Sequence, residues 1–148
     1  MTDTKPAADP TMLDELRREV AGATGAARAG VDVAEHGTGH TARQIVYAIA
    51  QGAAADPDLR SLLRELAIES ERLSGDAVRL HSRYIEAERA AAAAAESGDR
   101  DALVEARGPL EVVHVDGVQL HDAAAAVRRR LPRAYGDPLA IDPDWPTA

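Results

Sequence analysis

The sequence predicts an all-α fold: an antiparallel bundle of four helices, five if the longest breaks at Gly75, built on a long helical hairpin and followed by an extended C-terminal tail. Three observations predict it. Between Asp56 and Leu131 apolar residues recur at alternating steps of three and four, the a/d pattern of packed helices. Ser97-Gly98-Asp99 interrupts that pattern once, offering a helix stop and a new N-cap within three residues. Pro132, Pro138, Pro143 and Pro146 then forbid helix beyond Leu131. At 148 residues the chain is long enough for one core and too short for two.

Residues 1 to 10 carry two prolines and small polar residues, the composition of a disordered leader, and the bundle domain is expected over residues 11 to 131. A first helix begins near Asp9-Pro10-Thr11 and runs to about Ala34, with Leu13, Leu16, Val20, Ala23, Ala27 and Ala34 on one face. Gly22, Gly25 and Gly30 weaken its second half by roughly 1 kcal/mol each, which implies close packing on a neighbour or a break. Glu35-His36-Gly37-Thr38-Gly39-His40 reads as a connection. Thr41 and Gln44 have capping-box spacing and start a second helix, whose stripe is Ala42, Ile45, Val46, Ile49 and Ala53 and which ends near Gly52.

Asp56-Pro57 restarts the helix as N-cap and first helical residue. The third helix runs to about Glu96, with Leu63, Leu66, Ser70, Leu73, Ala77, Leu80, Tyr84, Ala87, Ala91 and Ala94 on its seam and Ser74-Gly75-Asp76 as the place for a kink. The six alanines from Ala90 to Ala95 are strongly helical. After the turn the seam resumes at Leu103, Ala106, Leu110, Val113, Gly117, Leu120, Ala124, Val127 and Leu131, with Gly108-Pro109 inside the helix and expected to bend it. Residues 132 to 148 form the extended, proline-rich tail.

Composition excludes several functions. Without cysteine there are no disulfides, thiolate metal sites or thiol nucleophiles. A net charge of -8 argues against nucleic acid or an anionic membrane as partner, since both are bound largely by cationic neutralisation. The basic cluster Arg128-Arg129-Arg130 with Arg133 closes a helix, where cations suit the helix dipole. The N-terminus lacks the basic and apolar segments of a signal peptide and no stretch is apolar enough to span a membrane, so a soluble, cytoplasmic protein is expected. No glycine-rich phosphate loop or Ser-His-Asp arrangement is present. Phenylalanine is absent, so the core is built from Leu, Val, Ile and Ala, which bury little area per residue. Self-association, most simply as a dimer, would complete such a core, and Val112, Val115 and Val118 lie off the seam to mediate it.

Counting outward from the turn between Ser97 and Gly98, residues at equal height in the two arms of the hairpin have numbers summing to 195. In an antiparallel pair like flanking positions face each other. Position e, one past d, then pairs Glu88 with Arg107 and His81 with His114, with Glu111 one turn before His114 and His121 one further ligand. Two imidazoles and a carboxylate suit Zn, Ni or Fe. Glu111-x-x-His114 occurs once, whereas a carboxylate di-iron centre needs that motif on two helices, and few large apolar residues exist to line a haem pocket. His36 and His40 have the i, i+4 spacing of a helical metal pair, but Gly37-Thr38-Gly39 between them predicts a solvated loop. In the tail, Leu139, Ile141 and Trp145 stand between prolines and aspartates, a composition suited to docking on the bundle or on a protein partner. Two functions are therefore expected: a non-catalytic bundle acting through oligomerisation or partner binding, or a metal-binding bundle using His81, His114 and Glu111.

Overall fold

Asp9 opens the first helix as expected, its side chain accepting a hydrogen bond from Thr11 N at 3.1 Å while Pro10 takes the first helical position. The structure, a computed structural model, describes residues 9–135. The leader expected over residues 1 to 10, its last two residues excepted, and Leu139, Ile141 and Trp145 of the tail lie outside the described residues. Among the described residues there are three long helices, α1 (Pro10–Ala50), α2 (Pro57–Ser97) and α3 (Arg100–Arg129), with single 3₁₀ turns at Ala53–Ala55 and Arg133–Tyr135. The all-α architecture is as expected; the number of helices is three, not four or five. None of them is long and apolar enough to cross a membrane.

The difference lies in α1. The expected connection at Glu35–His40 is helical, and Thr41, expected as an N-cap, sits in mid-helix with its hydroxyl donating to the Ala124 carbonyl of α3 at 2.8 Å. Packing overrides local propensity here. A Cβ on Gly117 would lie 2.8 Å from Gly30 Cα, and one on Gly30 would lie 2.9 Å from His114 Cα, so α1 and α3 touch backbone to backbone. Two turns on, a Cβ on Gly37 would come 3.2 Å from the His121 ring. Glycine costs an isolated helix roughly 1 kcal/mol, but at these crossings it admits a neighbour that no side chain would allow. The helix continues because α3 lies against it.

The second and third helices follow the sequence closely. All ten expected seam residues of α2 are the residues it buries. That helix runs unbroken through Gly75, so the expected kink site interrupts nothing. Gly98 ends it in the left-handed conformation at φ 67°, and Asp99 caps α3 by accepting from Asp101 N at 3.0 Å. α3 continues through Pro109. Beyond Pro132 the described part of the tail, Arg133–Tyr135, is a 3₁₀ turn rather than extended chain, and Tyr135 packs on the apolar cluster at that end.

Cross-helix bonds set the directions. Arg17 Nε donates to the Ala95 carbonyl at 3.0 Å and His81 Nδ1 meets Glu35 at 2.9 Å, so α2 is antiparallel to α1. α3, antiparallel to α2, therefore runs parallel to α1. Two apolar clusters result, one around Leu80, Leu103 and Leu110 and one around Leu63, Leu66 and Leu73. Each fully buried leucine contributes about 1.5–3 kcal/mol. Along α1, Thr38, Thr41 and Gln44 are buried between Ala34 of the first cluster and Ile45 of the second.

Candidate functional site

The hairpin has two flanks, and which one α1 covers decides what the expected site residues meet. Four successive e residues along α3 turn toward α1. Arg107 pairs with Glu19 at 2.8 Å, His114 Nδ1 donates to the Ala26 carbonyl at 2.9 Å, His121 packs on Gly37, and Arg128 bonds the Gly37 carbonyl at 3.1 Å and Thr41 Oγ1 at 3.0 Å. On α2 the e residue His81 likewise reaches Glu35 of α1. The flank on which α2 and α3 meet directly carries g, the position before a. There Arg83 pairs with Asp116 at 2.8 Å.

The expected metal residues are thus distributed along α1. His81 is half exposed and held by Glu35, His114 is half-buried against Ala26, and Glu111 pairs with Arg107 at 3.1 Å. His121 Nδ1 lies 3.2 Å from Asp122 Oδ1. The expected Glu88–Arg107 pair does not form: Tyr84 donates to Glu88, and Arg107 turns to Glu19 and Glu111. Among the described residues no three His, Asp or Glu side chains gather where they could hold a metal.

Burial and the Glu88 carboxylate both act on Tyr84. The hydrogen bond to Glu88 is the larger cause and burial the second, and together they raise the phenol above its ordinary value. The sign follows directly. A raised folded-state pKa stabilises the fold below the unfolded value of about 10, and that contribution is lost as pH rises through the folded value. The difference between the 295 nm titrations of the wild type and Tyr84→Phe is therefore expected to centre above pH 10, and a centre below 10 would count against the bond.

A groove of about 450 Å³ runs along the g flank between α2 and α3, with Leu73, Leu80 and Leu120 at its base and Arg72, Arg79 and Arg83 on its walls. Its cations are already paired. Arg72 pairs with Glu69 and Asp76, Arg79 with Asp76, and Arg83 with Asp116, so each arginine of the groove meets a carboxylate of the protein itself.

Two features escaped the reading of the sequence. Arg128, read as a cation at a helix end, is only 2% exposed and ties α3 to α1 through Gly37 and Thr41. Its place at e, in register with Arg107, His114 and His121, was the signal. The second is the helical setting of His36 and His40, which stand one turn apart on α1. Comparison of the chain with protein-family models, curated proteins and solved structures finds no match.

Proposed function

We propose that the chain is a non-catalytic helical bundle that works through its surfaces, and that its first partner is a second copy of itself. The observation that carries this reading is the outer flank shared by α1 and α3. Val104, Val112, Val115 and Val118 of α3 are each between 38 and 52% exposed, and Val33 of α1 is 39% exposed. Gly22, Ala26, Ala29 and Val33 follow one another on α1 at steps of four and three, which places them on one face.

The glycines strengthen the argument. Gly30, Gly37 and Gly117 are explained by the contact of α1 with α3, but Cβ atoms added at Gly22, Gly25 and Gly108 would meet nothing within 4 Å. Each still costs helix stability of roughly 1 kcal/mol. A neighbouring helix packed closely from outside gives them the same reason that α3 gives Gly30. A two-fold dimer is the simplest arrangement in which one such face covers another.

Light scattering on a size-exclusion column is expected to give twice the 15.6 kDa of one chain. Val115→Glu, on the exposed face, should leave helicity unchanged and return the particle to one chain. A wild-type monomer at micromolar concentration, or a dimer indifferent to Val115→Glu, would remove this face as the contact. The alternative, a metal-binding bundle using His81, His114 and Glu111, gains no support from the geometry, because each of the three is engaged by a different partner.

A further inference from the structure

Helical continuity through Gly37-Thr38-Gly39 changes the chemistry open to His36 and His40. On a loop the two imidazoles are separated by flexible chain; on α1 they stand on one face, one turn apart. Their ring centroids lie 6.1 Å apart with the planes tilted by 34°. Tertiary contacts hold that turn helical despite its two glycines. Arg128 donates to the Gly37 carbonyl at 3.1 Å, the His121 ring occupies the space that a side chain on Gly37 would fill, and Thr38 is buried. The spacing of the two rings is therefore set by the packing of α3 on α1, not by the propensity of the turn itself.

We propose that His36 and His40 chelate a divalent transition-metal ion of the zinc or nickel class, with water completing the coordination. Paired imidazole nitrogens suit these ions over calcium or magnesium, which prefer oxygen. A tetrahedral ion bonded to one nitrogen of each ring at about 2.0–2.1 Å would bring the centroids to roughly 5 Å apart. The rings already stand within about 1 Å of that separation. His36 is exposed and His40 half-buried, so one ligand is held by the bundle while the other swings to close the chelate. Only two protein ligands are required, the remaining positions being taken by water. The site does not depend on self-association, since both ligands come from one helix of one chain.

The test is calorimetric titration of the tag-free full chain with zinc chloride, repeated on His36→Ala, His40→Ala and His81→Ala. Saturable binding is expected in the wild type, unchanged in His81→Ala and at least tenfold weaker in His36→Ala and His40→Ala. His36 is exposed, so its variant keeps the experiment decisive should His40→Ala fold poorly. A second readout is the melting temperature, which zinc should raise in the wild type and not in His36→Ala, because a ligand that binds only the folded chain stabilises it. No binding by the wild type, or undiminished binding by His36→Ala, would overturn the site.

Discussion

Gly117→Ala is expected to destabilise the protein by about 3 kcal/mol or more, equivalent to a fall of roughly 10 °C in Tm for a chain of this size. The added methyl would overlap the Gly30 carbonyl and lie 2.8 Å from Gly30 Cα. Backbone cannot rotate aside as a side chain can. Relief would require α1 and α3 to separate along their crossing, and with them the contacts that Gly30 makes with His114 and Gly37 with His121. Gly75→Ala is the natural control, because a Cβ there meets only the flexible Arg79 guanidinium at 3.6 Å. It should stabilise α2 by about 0.5–1 kcal/mol, as replacing glycine by alanine in a helix interior normally does. Urea unfolding of the two variants should thus give changes of opposite sign. A neutral or stabilising Gly117→Ala would mean that the helices do not approach as closely as described.

Those same glycines mark where the sequence is legible and where it is not. The hairpin could be read because its signals are local: Asp56-Pro57 and Asp99 cap their helices, Gly98 stops one, and the seven-residue step names every buried residue of α2. α1 carries contrary local signals. Gly37 and Gly39 lower helix propensity, and Thr41 with Gln44 imitates a helix start, yet the Thr41 hydroxyl is spent on the Ala124 carbonyl of another helix. Propensity describes an isolated segment, whereas this turn is fixed by a contact 83 residues away in sequence. Spacing did hold the clue. Ala27, Ala34, Thr41 and Ala48 continue one heptad position through the supposed loop, and Gly30 and Gly37 continue another.

The candidate metal residues show a second limit. Matching heights across the hairpin was sound to within about a turn, since Arg130 bonds Glu65, a pair whose numbers sum to 195, and Arg83 bonds Asp116, a pair whose numbers sum to 199. The choice of flank was not. A two-helix rule lets either e or g face its like, but a third helix must lie along one side, and α1 lies along e. Charge could have decided this beforehand. Position g sets Arg83 opposite Asp116, an attractive pair at the helix contact, while position e sets His81 against His114, which attract only through a shared ion. The polar e residues Arg107, His114 and Arg128 instead reach acceptors on α1, a helix to which the hairpin pattern makes no reference.

Arg128→Ala is expected to cost about 3 kcal/mol, by a mechanism distinct from that of Gly117. The guanidinium is 2% exposed and donates to the Gly37 carbonyl and to Thr41 Oγ1. Since the Thr41 hydroxyl proton goes to Ala124, Thr41 can only accept from Arg128, and the three groups form an ordered chain from α3 to α1 and back. Hydrogen bonds involving a charged group contribute about 1.5–3 kcal/mol, and truncation also leaves the space of a long side chain unfilled. Arg128→Met restores most of that volume without the donors, so it should recover part of the loss and separate packing from hydrogen bonding. The neighbouring Arg130→Ala removes an exposed pair with Glu65 at 3.2 Å and should cost less than about 1 kcal/mol. A double-mutant cycle of Arg128→Ala with Thr41→Val is expected to give a coupling energy above about 0.5 kcal/mol, as for residues within one hydrogen-bond network. If Arg128→Ala unfolds at the same urea concentration as Arg130→Ala, the arginine is only a helix-end cation, and its two bonds to α1 add nothing to the joining of the two helices.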